Sequence, residues 1–137
     1  MVSIKPLNSL ADLTKPFCVQ QAQKKEFDLT IFSKKEFLRF VMENDNETLA
    51  LIWFWNMGQG RYGVGCFLSE HAGAFFLEMK TLIERMFDFY GALRYEAICR
   101  TDFVNGHRML VLLGFEREGT MKKFIDGVNY DLYARCK

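Results

Sequence analysis

Proline and histidine are both scarce in this 137-residue chain, with two of each. Each proline fixes φ and removes a backbone donor, so having so few leaves long stretches free to form helix or strand. The histidines, His71 and His107, and the four cysteines, Cys18, Cys66, Cys99 and Cys136, show no C-x-x-C or other ligand spacing. Neither a metal site nor a disulfide framework is expected from them, and the thiols read as free in a reducing, cytoplasmic compartment. No apolar run approaches the roughly 18 residues of a membrane-spanning helix, and Met1 to Pro6 lacks the basic-then-apolar pattern of a leader, so no membrane partner is expected. Charge of one sign is missing as well. Eighteen Lys+Arg against 17 Asp+Glu give +1, and the basic residues gather only in doublets such as Lys24-Lys25, Lys34-Lys35 and Lys122-Lys123. A nucleic-acid partner therefore has no electrostatic footprint here.

What the chain has is apolar bulk: 50% hydrophobic and 15% aromatic residues, 14 of them Phe, which excludes disorder. The length suits a single domain over residues 1–137, burying about two-thirds of its unfolded surface.

Along the chain, Val2 to Ile4 reads as a short strand stopped at Pro6. Asn8-Ser9 then offers caps for a helix in two pieces, interrupted at Pro16. Ser33-Lys34-Lys35-Glu36 has the form of a capping box, and Phe37, Leu38, Phe40 and Val41 behind it follow helical spacing. Leu49 to Trp55 is an almost continuous apolar run, short enough for a strand covered on both faces, which implies helices on each side of a sheet. Met57-Gly58-Gln59-Gly60 makes a turn into a strand from Arg61 to Leu68. Glycine within that strand, at Gly63 and Gly65, marks a bulge or a close approach.

Phe75, Phe76, Met79, Leu82, Ile83, Met86, Phe87 and Tyr90 recur at three- and four-residue steps, which predicts a long helix over 73–90 closed by Gly91. Leu93 to Cys99 follows as a strand and Asn105 to Leu113 as a short helix ending at Gly114. Phe115–Ile125 and Val128–Arg135 pair across the hairpin turn Asp126-Gly127. The sum is an α/β (α+β) domain with a mixed sheet between helices.

This order, with the run Asn105-Gly106-His107-Arg108-Met109-Leu110-Val111-Leu112-Leu113-Gly114-Phe115-Glu116-Arg117-Glu118-Gly119, resembles the GCN5-related N-acetyltransferase (GNAT) family. The narrower resemblance is to the short acetyltransferase-like proteins of tailed bacteriophages. The family fold implies a V-shaped splay between two central parallel strands, here ending at Leu68 and Arg100, with acetyl-CoA bound in it as co-substrate and no metal. It implies a phosphate-binding loop at the start of the long helix, where unpaired amides and the helix dipole attract anions. That loop falls at Ser69-Glu70-His71-Ala72-Gly73-Ala74. Phe67, Leu68, Ser69, Ala72, Gly73, Ala74, Phe75 and Asn105 are then the cofactor-binding residues, with the oxyanion held by an amide of the Phe67–Ser69 stretch.

The tyrosine that commonly donates a proton in the family has no counterpart between Asn105 and Phe115. His107 is the substitute candidate, since imidazole exchanges protons near neutrality; otherwise it is a helix-start histidine without chemistry. Glu70 is a candidate general base for the acceptor amine, or else a carboxylate favoured by the helix dipole. Cys99 reads as a small buried apolar residue, Tyr130 and Tyr133 as core or cleft residues, and Trp53 and Trp55 as core or dimer contacts. Two activities are implied: N-acetyl transfer to a small-molecule or protein amine, or a catalytically lapsed domain acting through protein contacts in virion assembly or host-protein binding. The family also implies a possible homodimer, and a phage-encoded chain would work in the host cytoplasm or on the virion.

Overall fold

The computed structural model describes residues 1–20, 23–24 and 37–137. Seven strands form one sheet: β1 (Ser3–Pro6), β2 (Leu38–Glu43), β3 (Thr48–Gly58), β4 (Arg61–Leu68), β5 (Arg94–Arg100), β6 (Glu116–Ile125) and β7 (Val128–Cys136). Helix α1 (Phe76–Tyr90) links β4 to β5, and α2 (Val104–Leu112) links β5 to β6. The order across the sheet is β1-β2-β3-β4-β5-β7-β6. Every neighbouring pair is antiparallel except β4 and β5. Among the described residues no helix is long and apolar enough to cross a membrane.

The apolar run of β3 divides as a doubly covered strand should, with successive side chains on opposite faces. Ala50, Ile52 and Phe54 join the cluster that holds Met79, Ile83 and Phe87 of α1 and Met109 of α2. Leu51 and Trp53 face the other way, onto Leu7, Val19, Val41 and Phe67. Each such burial contributes about 1.5–3 kcal/mol. Both described α-helices thus lie on one face, and the chain around residues 7–19 packs on the other.

Three expectations fit this arrangement closely. Gly91 ends α1 at φ 59°, donating its amide to Asp88, while Ala92 donates to Phe87. Asp126 and Gly127, both at positive φ, make the β6–β7 turn, as a two-residue hairpin of this hand requires. Gly114, at φ 89°, closes the turn after α2 and leads to the buried Phe115.

Two expectations are corrected. The helix read over Phe37–Val41 is strand β2, while its capping box, Ser33–Glu36, lies outside the described residues. Apolar residues at 37, 38, 40 and 41 satisfy a helical stripe and a strand buried on both faces alike; pairing with β1 and β3 decides for the strand. The helix capped by Asn8-Ser9 is a single 3-10 turn, Leu10–Asp12, and its capping runs the other way: the amides of Asn8 and Ser9 donate to the Asp12 carboxylate at 3.0 and 3.1 Å. Beyond Pro16 the chain is extended, with Phe17 bridging to Thr48 and Val19 to Ser69.

Candidate functional site

The parallel strands β4 and β5 pair only at Arg61↔Arg94, Tyr62↔Tyr95 and Gly63↔Glu96, and then diverge. A charge cluster pins the point of the V. The Glu96 carboxylate accepts from Arg61 Nε at 2.8 Å and Arg94 Nε at 3.2 Å, and Arg94 Nη1 reaches Glu118 at 2.8 Å. The Arg61 hydrogen bond, then that from Arg94, holds the Glu96 carboxyl below the usual range. A carboxylate with a depressed folded pKa stabilises the fold above its unfolded value of about 4.3 and loses that contribution as pH falls through the folded value. Glu96→Gln is accordingly expected to be less stable than wild type at pH 7 and to show a shallower loss of stability below about pH 4; urea midpoints from pH 7 to 3 check this.

Beyond Gly63, the edge of β4 turned toward β5 carries the backbone groups of Cys66 and Leu68. Phe67 and Ser69 alternate to the other side: the Ser69 amide donates to Leu49 of β3. Of the Phe67–Ser69 stretch, then, Leu68 alone offers an amide to the splay. That amide is engaged by the chain itself. Gln23 Oε1 accepts it at 2.8 Å, and Gln23 Nε2 donates to the Cys66 carbonyl at 2.9 Å. The Leu68 carbonyl accepts from the Gln20 amide, and the Gln20 side chain donates to the Ser69 carbonyl at 3.0 Å while accepting from Asn105 Nδ2 at 3.1 Å. Asn105 is thereby tied across the splay.

The edge of β5 is held in a matching way. Thr101 donates its amide toward β7, so Arg100 turns its carbonyl toward β4, where His107 Nε2 meets it at 2.9 Å, with the Thr101 carbonyl at 3.2 Å. Two carbonyl partners place the proton on Nε2. Nδ1 then accepts from the Tyr133 hydroxyl at 2.7 Å. Burial first, then the neighbouring Cys99 and Asp131, push the Tyr133 phenol above its ordinary range, so it stays a donor. Bonded at both nitrogens, His107 acts in this geometry as a wedge that keeps β5 away from β4.

The splay opens into a cleft of about 800 Å³. Its wall on the side away from α1 is aromatic. Trp53 lies opposite Gly65 and Trp55 opposite Gly63, each indole over a glycine where a Cβ would stand 2.1–2.6 Å from the ring. Trp53 also packs on Phe67 at 5.0 Å between ring centres, and Trp55 on Phe37 at 5.6 Å. The glycines mark the close approach that strand glycine signals, with a tryptophan as the approaching group.

At the mouth, Ser69 is fully buried, with its hydroxyl accepting the His71 amide at 3.1 Å. Glu70 is exposed, its amide donated to Cys18. Ala72 is buried and donates its amide to Ser69. Ala72–Phe75 forms a 3-10 turn leading into α1. Gly73 and Ala74 are exposed, and a Cβ on Gly73 would meet nothing within 4 Å. Cys99 is buried, its thiol 3.7 Å from the Phe103 carbonyl, and Tyr130 lines the cleft. The structure therefore gathers Leu68, Asn105 and His107 around the splay and sets Glu70, Gly73 and Ala74 at its rim. Gln20 and Gln23 escape a reading of the sequence. The run Gln20-Gln21-Ala22-Gln23 is visible, yet nothing local ties it to a strand more than 40 residues away.

No protein-family model matches the sequence, and no curated protein does. Solved structures do. The chain superposes on an IAA acetyltransferase from Bacillus cereus with a TM-score of 0.75 at 11% identity, over 100% of both chains. On the ribosomal-protein-S18-alanine N-acetyltransferase from Escherichia coli the TM-score is 0.72 at 15% identity, over 99% of this chain and 94% of that one. On Mycobacterium smegmatis RimJ in complex with CoA-disulfide it is 0.68 at 18% identity, over 98% and 81%. At such identities the likeness is one of fold, and the fold is that of the GCN5-related N-acetyltransferases, the V between β4 and β5 included.

Proposed function

We propose that the protein is an acetyl-CoA-dependent N-acetyltransferase. The observation that carries this reading is the divergence of β4 and β5, which turns the donor and acceptor groups of Cys66 and Leu68 toward a cleft of about 800 Å³. An extended thioester carrying amide groups fits such an edge, because each strand amide finds the partner that a neighbouring strand would supply. Its phosphates would meet the exposed backbone at Gly73 and Ala74, at the start of the 15-residue α1.

In the reaction the acceptor nitrogen attacks the thioester carbon, an N–C bond forms, the C–S bond breaks and CoA leaves as the thiolate. The chain contributes alignment within the cleft and a strand amide toward the developing oxyanion. That amide belongs to Cys66 or Leu68, the residues whose backbone faces the splay. Glu70, exposed beside the end of β4, is the group placed to take the proton of the attacking amine through solvent. His107, with Nε2–H on two carbonyls, positions β5. Trp53, Trp55, Phe67, Ile98 and Tyr130 line the cleft, while Arg100 there is paired with Asp102 at 3.0 and 3.1 Å. This lining favours an acceptor amine with an apolar body over a polyamine or a basic peptide.

A second reading, a catalytically lapsed domain working through protein contacts, is favoured by one observation: the backbone edge of β4 and the side chain of Asn105 are already partnered by Gln20 and Gln23. Thermal unfolding with and without acetyl-CoA separates the two. A ligand that binds the native state alone stabilises it by about 2.7 kcal/mol at a hundredfold excess over Kd, which for a domain of this size is an upward shift on the order of 10 °C. That shift is the expected result; an unchanged midpoint at millimolar acetyl-CoA selects the lapsed domain.

A further inference from the structure

Four residues beyond their last pair, Gly63↔Glu96, an undiverged β4 and β5 would set Phe67 opposite Arg100. In parallel pairing the Arg100 amide would then donate to the Cys66 carbonyl, and its carbonyl would accept from the Leu68 amide. Gln23 makes both of those bonds with one side chain: Nε2 donates to Cys66 and Oε1 accepts from Leu68. A primary carboxamide thus reproduces, atom for atom, the donor–acceptor pair of a backbone amide in an adjoining strand. The carboxamide is 6% exposed with its residue, and its backbone amide is itself anchored on the Gln20 carbonyl at 2.9 Å. Meanwhile the natural partner is held off, because His107 occupies the Arg100 carbonyl.

We infer that this stretch of β4 is an amide-reading site, and that Gln23 is its resident occupant, displaced when an extended ligand lays its own amide along the strand. The inference rests on the acetyltransferase reading for the identity of that ligand, coenzyme A with its amide-bearing arm. Every ligand amide bound there replaces the two Gln23 hydrogen bonds, so the free protein holds its ligand more weakly than the strand edge alone would. Gln20 is linked to the same change. Its backbone amide holds the Leu68 carbonyl, and its side chain holds Asn105, so release of Gln23 frees one side of an arrangement that also restrains α2.

The test is titration calorimetry of the full chain with coenzyme A, comparing wild type with Gln23→Met, which keeps the bulk and removes both bonds, and Gln23→Ala. Circular dichroism and urea midpoints verify that each variant is folded. The expected result is binding about tenfold tighter in Gln23→Met, since the ligand no longer has two hydrogen bonds to replace. Equal or weaker binding in a folded variant overturns the gate and leaves the acetyltransferase reading in place. Absence of binding by wild type and both variants overturns that reading and the gate with it. Amide hydrogen exchange on wild type gives an independent measure: the Leu68 amide is expected to exchange faster than that of Ser69, which β3 holds, and equal protection of the two counts against a displaceable occupant.

Discussion

Gly65→Ala is expected to destabilise the protein by about 1–3 kcal/mol, although alanine normally suits a strand better than glycine. A Cβ at Gly65 stands 2.2 Å from Trp53 Cε2 and 2.5 Å from its Nε1. Trp53 has nowhere to go. It is 7% exposed, with Phe67 against its ring and Val41 and Leu51 in the same cluster. Gly63→Ala meets Trp55 at 2.1 Å, an equal clash on paper, but Trp55 is only half-buried and rests on Phe37 at the edge of that cluster. Its ring can swing outward, so the cost at Gly63 is expected to be the smaller of the two. Trp53→Ala alone removes a buried indole and should cost about 3–5 kcal/mol. In the double variant the alanine methyl at 65 enters space that the indole has left, so the combined loss falls short of the sum. Urea midpoints of the four proteins measure this coupling, and strict additivity would mean that the indole does not lie over Gly65.

Ala74→Asp is expected to weaken acetyl-CoA binding about a hundredfold while leaving the unfolding midpoint within about 0.5 kcal/mol of wild type. Ala74 is exposed in the turn ahead of α1, so a carboxylate there is solvated in the free protein and burdens no core contact. Phosphates meeting the Gly73–Ala74 backbone would come within about 5 Å of that charge. At an effective dielectric near 20 two like charges at this distance repel by about 3 kcal/mol, which is two decades in Kd. Ala74→Asn, of the same shape without the charge, is expected to bind within about threefold of wild type. Calorimetry on the pair checks both; equal affinities would move the phosphates away from the start of α1. Glu70 and Glu78 flank this turn and already bring negative charge to it, so screening by salt should ease the effect of the added aspartate.

The fold was legible where local chemistry and tertiary demand coincide. Gly91, Gly114 and the Asp126-Gly127 turn need left-handed backbone, and the residues present are those that adopt it. The run in β3 is apolar at every position because both faces are covered, and that shows without coordinates. β2 was misread because Phe37, Leu38, Phe40 and Val41 are compatible with either period and only the hydrogen bonds to β1 and β3 choose. The site was legible in outline, as a splay between the strands ending at Leu68 and Arg100, because element order and the Leu113-Gly114-Phe115 junction resemble a known family. Its detail was not. Which amides of β4 face the cleft depends on pairing with β3, the bonds of Gln23 span 43 and 45 residues, and the use of both His107 nitrogens is visible only once Tyr133 and Arg100 are in place.

The three residue pairs that join β4 to β5 also bear on how the molecule comes apart. β1 to β4 form one antiparallel meander and β5 to β7 another antiparallel unit, and the backbone ladder between these halves is the seam Arg61–Gly63 with Arg94–Glu96. Cooperative opening follows such seams, since each half keeps its own ladder when the other unravels. Strands β6 and β7, joined by a two-residue turn, re-form by local closure. Strands β4 and β5 must instead find each other across the whole of α1, at a greater loop-closure cost. The V that receives a ligand is in this sense also the place where the chain is completed last on folding and surrendered first on unfolding.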